Sequence, residues 1–381
     1  MSAEPLHLET LLDRCLTIGA SDMHLASDAP PFFRVQGVLK SDASLPCISV
    51  AQMERWARDL SGQASGPVVR DNGSYDGALT SKSGVRFRFN IYKVRGQIHL
   101  ALRRLDDRFR PLSELGLPDS LNQLCLQPYG LVVIAGPTGS GKTTTLATLL
   151  DHINQTRHCH LITIEDPVEY VHQSNLALVN QRQLGLDTPS FNDALVAAMR
   201  QDPDVILVGE IRDLTTIRTA ITAAETGHLV FTTVHAGDCV GAIERMVSVF
   251  PAGEQDGIRR QLALVLRAVV AQHLLVADGS GKMSRANGKA PEEAKGRRVL
   301  AAEILIANQA VANLIATSKS NLIYSAMESG TQQGMQTMEH SLATLYLRGD
   351  ISEQTVNAHA RQPAQVFERA RRMHTRATES A

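Results

Sequence analysis

The chain of 381 residues is long enough for two or three domains, because a domain usually contains about 100–200 residues. Its 43% hydrophobic and 20% charged residues are ordinary for a globular protein and exclude a disordered or fibrous chain. The formal net charge of −1 excludes the global positive field of a nucleic-acid-binding protein, so we expect no nucleic-acid partner.

The cysteines and the N-terminal residues predict the compartment. The five cysteines are odd in number, widely spaced and without a C-x-x-C pair, which indicates the reduced thiols of a cytosolic protein. The N-terminus lacks the basic-then-apolar order of a signal peptide, and no apolar run approaches the roughly 20 residues of a membrane span. We therefore expect a cytoplasmic protein that contacts a membrane only peripherally.

Residues 1–105 combine an amphipathic helix with short alternating segments. Leucines recur at helical spacing over residues 6–16, and residues 85–94 alternate apolar and polar side chains. A second alternating stretch, at 98–105, would pair with the first across a turn at 95–97. The pattern predicts an α+β domain with an antiparallel sheet.

The remainder of the chain changes character at three places. Residues 106–120 are rich in charge and turn formers, which predicts an interdomain linker. From 121 to 277, apolar runs alternate with helical stretches, which predicts a parallel sheet covered by helices. Residues 278–298 hold almost no large apolar residue and predict a flexible loop, and 299–381 predict a strand followed by helices. The predicted strands of the parallel sheet are 131–135, 160–164, 205–208 and 229–234.

The most informative motif is GPTGSGKT, which begins at residue 136 between an apolar run and a helix-like stretch. In a P-loop, glycines let the backbone point N–H groups at phosphate oxygens, where a helix N-terminus favours negative charge. Lys142 would reach the β- and γ-phosphates and Thr143 would ligate Mg²⁺. A plain glycine-rich turn is the alternative, although chance seldom places it between a strand and a helix. The predicted nucleotide-binding residues are Gly136, Pro137, Thr138, Gly139, Ser140, Gly141, Lys142, Thr143 and Thr144.

Two acidic sets follow strand-like runs, at the edge where open α/β sheets bind ligands. Glu210 would polarise the attacking water or hold it on Mg²⁺, and the alternative is a residue that caps the next helix. Glu165, Asp166 and Glu169 lie within five residues, and such close like charges are costly without a cation. Mg²⁺ would supply that cation, and a solvated turn explains the cluster equally well.

Histidines and arginines complete the set of candidates. His228 and His235 bracket an apolar strand, so His235 emerges at the same sheet edge as Glu210 and can donate a hydrogen bond to a γ-phosphate oxygen. A structural role is the alternative for both histidines, and it is favoured more for His228. Arginines of the N-terminal sheet, Arg88 and Arg103 among them, would form a solvated face or reach the γ-phosphate of a neighbouring subunit.

Four ordered boxes resemble the Walker A, Asp box, Walker B and His box of the secretion ATPase superfamily. They read GPTGSGKTT at 136, TIEDPVEY at 163, DPDVILVGEIRD at 202 and AETGHLVFTTVHAGD at 224. Within the superfamily, the chain most resembles PilT-type ATPases of type IV pili. The resemblance extends to SDMHLASDAPPFFRVQG at 21 and to GMQTMEHSL at 334, so it covers nearly the whole chain.

The resemblance implies a homohexamer whose subunits have a PAS-like α+β N-terminal domain and an α/β RecA-like P-loop ATPase domain. It implies hydrolysis of ATP with Mg²⁺, which Thr143, Glu165 and Glu210 would hold partly through water. It also implies a motor at the cytoplasmic face of the inner membrane that acts on a pilus platform protein and can work beside a paralogous pilus ATPase. The catalytic positions that match the family are Glu165, Glu210, His228, His235, Arg88 and Arg103.

Departures from the family pattern bear on what the motor moves. The chain lacks the tetracysteine zinc insertion of assembly ATPases, which fits the retraction branch and predicts no metal beyond Mg²⁺. A motif that typically reads AIRNLIRE reads AVANLIAT from residue 310, so Ala312 and Ala316 replace two arginines. We therefore expect a motor for pilus retraction or a closely related pilus function. The alternatives are an ATPase of a secretion or conjugation system and a nucleotide-binding regulatory subunit.

Overall fold

The computed structural model describes residues 6–35, 37–62, 69, 73–105, 108–278 and 297–379. The predicted flexible loop at 278–298 therefore lies almost entirely outside the described residues. The chain has mixed α/β structure and divides into two compact units. The first contains the residues up to 108 together with 165–172 and 181–187, and the second contains 109–164, 173–180 and the residues from 188 onward.

The first unit is built on an antiparallel sheet. Its elements are α1 (Leu8–Thr17), β1 (Asp22–Leu25), β2 (Phe32–Val35), β3 (Val38–Ser41), α2 (Val50–Ser61), β4 (Ser74–Thr80), β5 (Arg86–Val94) and β6 (Gln97–Arg104). The strand order is β3-β2-β1-β6-β5-β4, and neighbouring strands run antiparallel. This confirms the α+β prediction for the N-terminal region.

A tight hairpin joins β5 and β6, as the alternating pattern predicts. Val94 pairs with Gln97, so the loop holds only two residues. Arg95 and Gly96 both have positive φ, 51° and 84°, and such turns match the twist of the flanking strands. The apolar face of β5, beginning at Phe87, is buried in the core of this unit.

The second unit carries most of a larger sheet. Its strands are β7 (Gly130–Ala135), β8 (His160–Glu165), β9 (Leu178–Gln183), β10 (Val205–Val208), β11 (Leu229–Val234), β12 (Leu266–Val276) and β13 (Arg298–Ile306). The order is β13-β12-β7-β11-β10-β8-β9, and the strands from β12 to β8 run parallel. This confirms the predicted parallel sheet.

Both faces of the central strands of this sheet are buried. Along β7, Leu131 and Val133 belong to one apolar cluster, whereas Val132 and Ile134 belong to another. Because successive side chains of a strand point to opposite faces, a strand covered on both sides reads as a continuous apolar run. The helices of this unit are α3 (Leu112–Leu115), α4 (Lys142–Thr156), α5 (Phe191–Ala198), α6 (Leu214–Glu225), α7 (Cys239–Ser248), α8 (Ala252–Val265), α9 (Gln309–Ala316), α10 (Ile323–Ser329), α11 (Met338–Arg348), α12 (Glu353–His359) and α13 (Pro363–Glu379).

Two segments outside the predicted core belong to the structure of the second unit. Leu112 and Leu117 are buried in one of its apolar clusters, so part of the segment predicted as a linker is packed. β13 pairs antiparallel with β12 along its whole length and adds an edge strand to the parallel sheet. Across the described ranges, no helix is both long enough and apolar enough to cross a membrane.

Candidate nucleotide-binding site

The P-loop connects the carboxyl end of β7 to the amino end of α4. Gly139 and Gly141 have φ values of 77° and 91°, a left-handed conformation that residues with side chains rarely adopt. At Gly136, with φ of 152°, a β-carbon would stand 2.3 Å from Ser140 Oγ and 2.6 Å from the backbone oxygen of Gln272. The path of the backbone therefore requires all three glycines.

The amino end of α4 offers donors that fit a polyphosphate. Its N-cap residue is Gly141, and no side chain caps the helix. The amino end of a helix favours an anion, because its N–H groups point outward and the helix dipole is positive there. Ser140 Oγ is buried and makes no hydrogen bond within the described part of the chain, while Pro137, Thr138 and Thr143 are exposed along the loop.

Lys142 folds back over the P-loop. Its Nζ donates hydrogen bonds to the carbonyl oxygens of Gly136 and Pro137, both at 2.9 Å. Burial lowers the pKa of Lys142, and the carboxylate of Glu210 opposes part of that effect. Because bonds between two charged groups are stronger than bonds to neutral carbonyls, a phosphate oxygen would compete well for this ammonium group.

Glu210 and His235 follow neighbouring parallel strands at the edge that carries the P-loop. The Nε2 of His235 lies 3.7 Å from Oε2 of Glu210, and Nη2 of Arg212 lies 2.7 Å from the same oxygen. Thr233 Oγ1 donates to the carbonyl oxygen of Gly209 at 2.6 Å, which ties the ends of β10 and β11 together. The structure therefore brings the predicted acid and one predicted histidine into a single cluster.

The surroundings of His235 keep its ring neutral at neutral pH. Burial lowers the pKa of His235 most, and the positive charge of Lys142 lowers it further. Glu210 opposes these effects, whereas Arg212 and Arg245 add to them. Since the pKa lies below the ordinary histidine value of about 6.5, the imidazole offers one hydrogen-bond donor and one acceptor near pH 7.

His228 lies at the opposite, amino end of β11. Its Nδ1 is 3.0 Å from the carbonyl oxygen of Ala223 and 3.3 Å from Thr226 Oγ1, both near the end of α6. Its own carbonyl oxygen accepts a hydrogen bond from the backbone N–H of Gly130. The structure therefore does not bring His228 to the cluster of Glu210 and His235, and the catalytic role of His228 stays a prediction from the family resemblance.

Glu165, at the end of β8, is a buried acid of the first unit. Its side chain is 7% exposed, and its Oε1 accepts a hydrogen bond from Gln181 Nε2 at 3.1 Å. Gln181 Nε2 also donates to the carbonyl oxygen of Tyr170, so the amide is fixed from two sides. The Glu165 carboxylate is therefore held in one orientation rather than standing in a solvated turn.

Arg88 and Arg103, on β5 and β6 of the first sheet, are each paired with a carboxylate. Arg88 Nη1 lies 3.5 Å from Glu169 Oε1, and the side chain of Arg88 is 43% exposed. Arg103 donates from Nε to Asp22 Oδ1 at 2.7 Å, and its side chain is 69% exposed. Both arginines are thus anchored while much of each side chain remains accessible to solvent.

No group of three or more histidine, cysteine or acidic side chains that could hold a metal ion occurs in the described ranges. A Mg²⁺ site at a P-loop does not need such a group of side chains. Mg²⁺ usually keeps several waters and binds through one or two protein oxygens plus substrate phosphates. The exposed hydroxyl of Thr143 at the start of α4 suits that arrangement.

Sequence reasoning missed three residues that shape the cluster. Arg212 pairs with Glu210, and Thr233 fastens the end of β11 to Gly209. Gln272, fully buried on β12, donates to Thr145 Oγ1 at 2.7 Å and places its backbone oxygen against Gly136. A polar residue inside an apolar strand was the available signal for Gln272, and an arginine two positions after the acid was the signal for Arg212.

Comparison with known proteins extends the similarity over both units. A model of the family described as type II/IV secretion system protein matches residues 4–358. The type IV pilus retractation ATPase PilT of Pseudomonas aeruginosa is 39% identical over 91% of this chain and 95% of its own length. A twitching motility protein of Neisseria gonorrhoeae is 40% identical over 87% of this chain and 84% of its own. The crystal structure of the pilus retraction motor PilT with bound ADP gives a TM-score of 0.80 at 38% identity, covering 94% of this chain and 98% of that one.

Proposed function

Because this chain belongs to the type II/IV secretion system protein family, we propose that it is an ATP-hydrolysing motor that powers type IV pilus retraction or a closely related pilus function. The observation that carries the proposal is the convergence of Lys142, Glu210 and His235 at one edge of the parallel sheet, where the P-loop leads into the amino end of α4. Relatives that are similar over most of the chain are named as a pilus ATPase and a twitching motility protein.

Each residue of the cluster has a distinct task in hydrolysis. The P-loop amides and Lys142 bind the phosphates, and Thr143 would hold Mg²⁺, which would neutralise charge on the phosphates. Glu210 orients and activates the attacking water, since its carboxylate is partly exposed. His235, held neutral, donates a hydrogen bond to a γ-phosphate oxygen and responds when that phosphate leaves.

The finer architecture follows from the family resemblance. We assign a RecA-like fold to the second unit and a PAS-like fold to the first, in subunits that form a homohexamer. Glu165 would help to hold Mg²⁺ through water, and Arg88 and Arg103 would meet the γ-phosphate. For His228 the same resemblance suggests a supporting role, for which the described subunit offers only structural contacts.

The partners and location are proposed on the same basis. The motor would lie in the cytoplasm against the inner membrane, turn a pilus platform protein, and act beside a paralogous pilus ATPase.

A second candidate function is an ATPase of a secretion or conjugation system. The observation in its favour is the pair Ala312 and Ala316, one turn apart on α9, where the retraction motif carries arginines. Both alanines are half-buried on the helix. A regulatory subunit without turnover is disfavoured, because Lys142, Glu210 and His235 are all in place.

The test of catalysis is ATP hydrolysis by the purified full chain. We expect Mg²⁺-dependent turnover that Glu210→Gln lowers by about 10²–10³, since that variant keeps the shape and removes the charge. Glu254→Gln, which changes an exposed acid paired with Arg218 on the surface, is the matched control. Absence of turnover in the unaltered chain at every concentration tried would refute the motor assignment.

The test of output is pilus length and number in a deletion strain. Excess pili with loss of twitching are expected for a retraction motor. Bald cells would instead indicate assembly, and normal pili with a defect in protein export would favour the secretion alternative.

The role of Arg103 is tested by mixing subunits. Arg103→Ala and Glu210→Gln subunits are expected to regain part of the hydrolysis when mixed, because one interface in the mixture would combine an intact arginine with an intact acid. Mixed hexamers without any recovered activity would mean that Arg103 does not act on a neighbouring subunit.

A further inference from the structure

Residues from the C-terminal half of the second unit contact the segment that follows His235. Its next residues are Ala236, Gly237 and Asp238, and α7 then begins at Cys239. These residues connect the proposed γ-phosphate contact to a helix, so whatever fixes them also fixes the position of His235.

Two of the contacts come from neighbouring strands. His273 on β12 places Nε2 2.8 Å from the carbonyl oxygen of Gly237. Glu303 on β13 accepts a hydrogen bond from the backbone N–H of Cys239 at 2.9 Å through Oε1. Glu303 is 1% exposed, and burial raises the pKa of its carboxyl group. These contacts join the segment to the sheet itself.

The third contact comes from the connection between α12 and α13. Arg361 places Nη2 2.5 Å from Oδ2 of Asp238. The other oxygen of Asp238 accepts a hydrogen bond from the N–H of Gly241 at 2.7 Å and caps α7. The guanidinium of Arg361 also lies 5.6 Å from the ring centre of Tyr324 on α10. One side chain therefore links the His235 segment to the C-terminal helices.

Because this ion pair is partly exposed, its main effect is on the position of the His235 segment and not on the stability of the fold. The side chains of Arg361 and Asp238 are 46% and 31% exposed. Ion pairs with such access to water contribute little to stability. Loss of the pair should therefore leave the fold intact, while the segment between β11 and α7 loses an ion pair that ties it to the connection between α12 and α13.

We propose that Arg361 is a positioning residue for His235. Through Asp238 it holds the segment that carries His235, and it makes the rate of hydrolysis depend on the placement of the C-terminal helices. The inference rests on the proposed function, because it presupposes that His235 contacts the γ-phosphate. Geometry at a reacting centre is demanding, and a displacement of about 1 Å can reduce a rate about 10²-fold.

The decisive variants are Arg361→Gln and Asp238→Asn. Asparagine is as good an N-cap as aspartate, so Asp238→Asn removes the charge and keeps the cap of α7. We expect each variant to lower kcat by about threefold to tenfold with KM changed by less than about twofold, the pattern of a contact that matters in the transition state. The double variant should be no slower than either single variant. Arg361→Lys should recover part of the rate.

A matched control and a second genetic background separate positioning from stability. Arg372→Gln, which removes an exposed arginine paired with Glu368 on α13, should leave kcat and the melting temperature unchanged. In a His235→Ala background, Arg361→Gln should cause no further fall in kcat.

Three outcomes would overturn the proposal. An unaltered kcat in Arg361→Gln would refute the proposal and leave the proposed ATPase function untouched. An independent, multiplicative loss of rate in the His235→Ala background would show that Arg361 acts elsewhere. Unaltered kcat in His235→Ala itself would refute both the role of His235 and the inference built on it.

Discussion

The two ends of β11 carry histidines in opposite situations. At the amino end, His228 follows Gly227 and bonds back to the end of α6, the helix that leads into the strand. At the carboxyl end, His235 lies close to Glu210, and the positive charge of Lys142 lowers the pKa of the His235 ring. The strand between them is fully buried and contributes no group to either contact. The same residue type on the same strand therefore closes a turn at one end and joins a charged cluster at the other.

The difference follows from the direction of the strands. β7, β10 and β11 run parallel, so the connections that leave their carboxyl ends emerge at one edge, and α4 presents its uncapped amino end there. At the other edge the strands receive the carboxyl ends of helices, whose dipoles repel anions. We therefore expect phosphate binding at one end of the sheet, and variants at the two ends should separate activity from stability.

The largest effect is expected at Lys142. Lys142→Ala removes the ammonium group that donates to two carbonyl oxygens and that we propose binds phosphate oxygens, so we expect hydrolysis to fall by at least about 10²–10³. Lys319→Ala, at an exposed position outside the cluster, is the control. Binding of a fluorescent ATP analogue and release of phosphate measure the effect. Normal binding and turnover in Lys142→Ala would place the nucleotide away from this edge.

A comparable loss is expected from a single methyl group at Gly136. The β-carbon of Gly136→Ala would meet Ser140 Oγ and the backbone oxygen of Gln272 at distances no real contact shows, so the P-loop must move and nucleotide binding should be lost. Gly257→Ala on α8 meets no atom within 4 Å and should raise stability by about 0.5–1 kcal/mol. ATP binding and thermal melting measured on both variants decide the point. Unaltered ATP affinity of Gly136→Ala would show that the loop tolerates the side chain.

An intermediate effect distinguishes the two histidines directly. His235→Ala should lower kcat by about tenfold to hundredfold, because it removes one donor to developing phosphate charge. His228→Ala should lower the free energy of unfolding by about 1 kcal/mol, the contribution of one hydrogen bond, and reduce kcat less than His235→Ala does. Steady-state kinetics and denaturant unfolding give both quantities. A larger loss of kcat in His228→Ala would reverse the comparison and indicate a catalytic contact supplied by another subunit.

The smallest effect concerns pH. Because the pKa of His235 is held below the usual histidine value, its neutral form persists as the pH falls through about 6.5, and hydrolysis should hold across that range. Arg245→Gln removes one of the positive charges that lower this pKa, so the decline should begin at higher pH. The pH profile of kcat in both proteins measures the shift. An acid limb at the same pH in both would mean that another group controls it.

The strands of the parallel sheet could be predicted from the sequence because both faces are covered. Continuous apolar runs at 131–135 and 229–234 leave few alternatives to a buried strand, and the structure places β7 and β11 there. The hairpin of β5 and β6 could be predicted equally well, because its polar and apolar residues alternate around a two-residue turn. The sequence around Leu112 predicts a linker because charged residues and turn formers dominate it. The few leucines there nevertheless pack in the structure.

The residues of the candidate site could be predicted from the sequence only where they belong to one local motif or pattern. Lys142 and the glycines of the P-loop are close in sequence, and their spacing states their chemistry. Glu210 was found because an acid ends an apolar strand. Gln272 and Arg361 are far along the chain, and nothing in their local sequence shows which loop they would reach.

By itself, the sequence determined the ligand class, the parallel sheet and the acid and histidine at its edge, because backbone turns, helix dipoles and strand burial act between near neighbours. Only the tertiary structure showed which groups His228 contacts, joined Arg212 to Glu210, and brought Arg361 onto Asp238. Those relations depend on which side chains meet after strands and helices pack. Packing is a property of the whole core, so no local pattern records it.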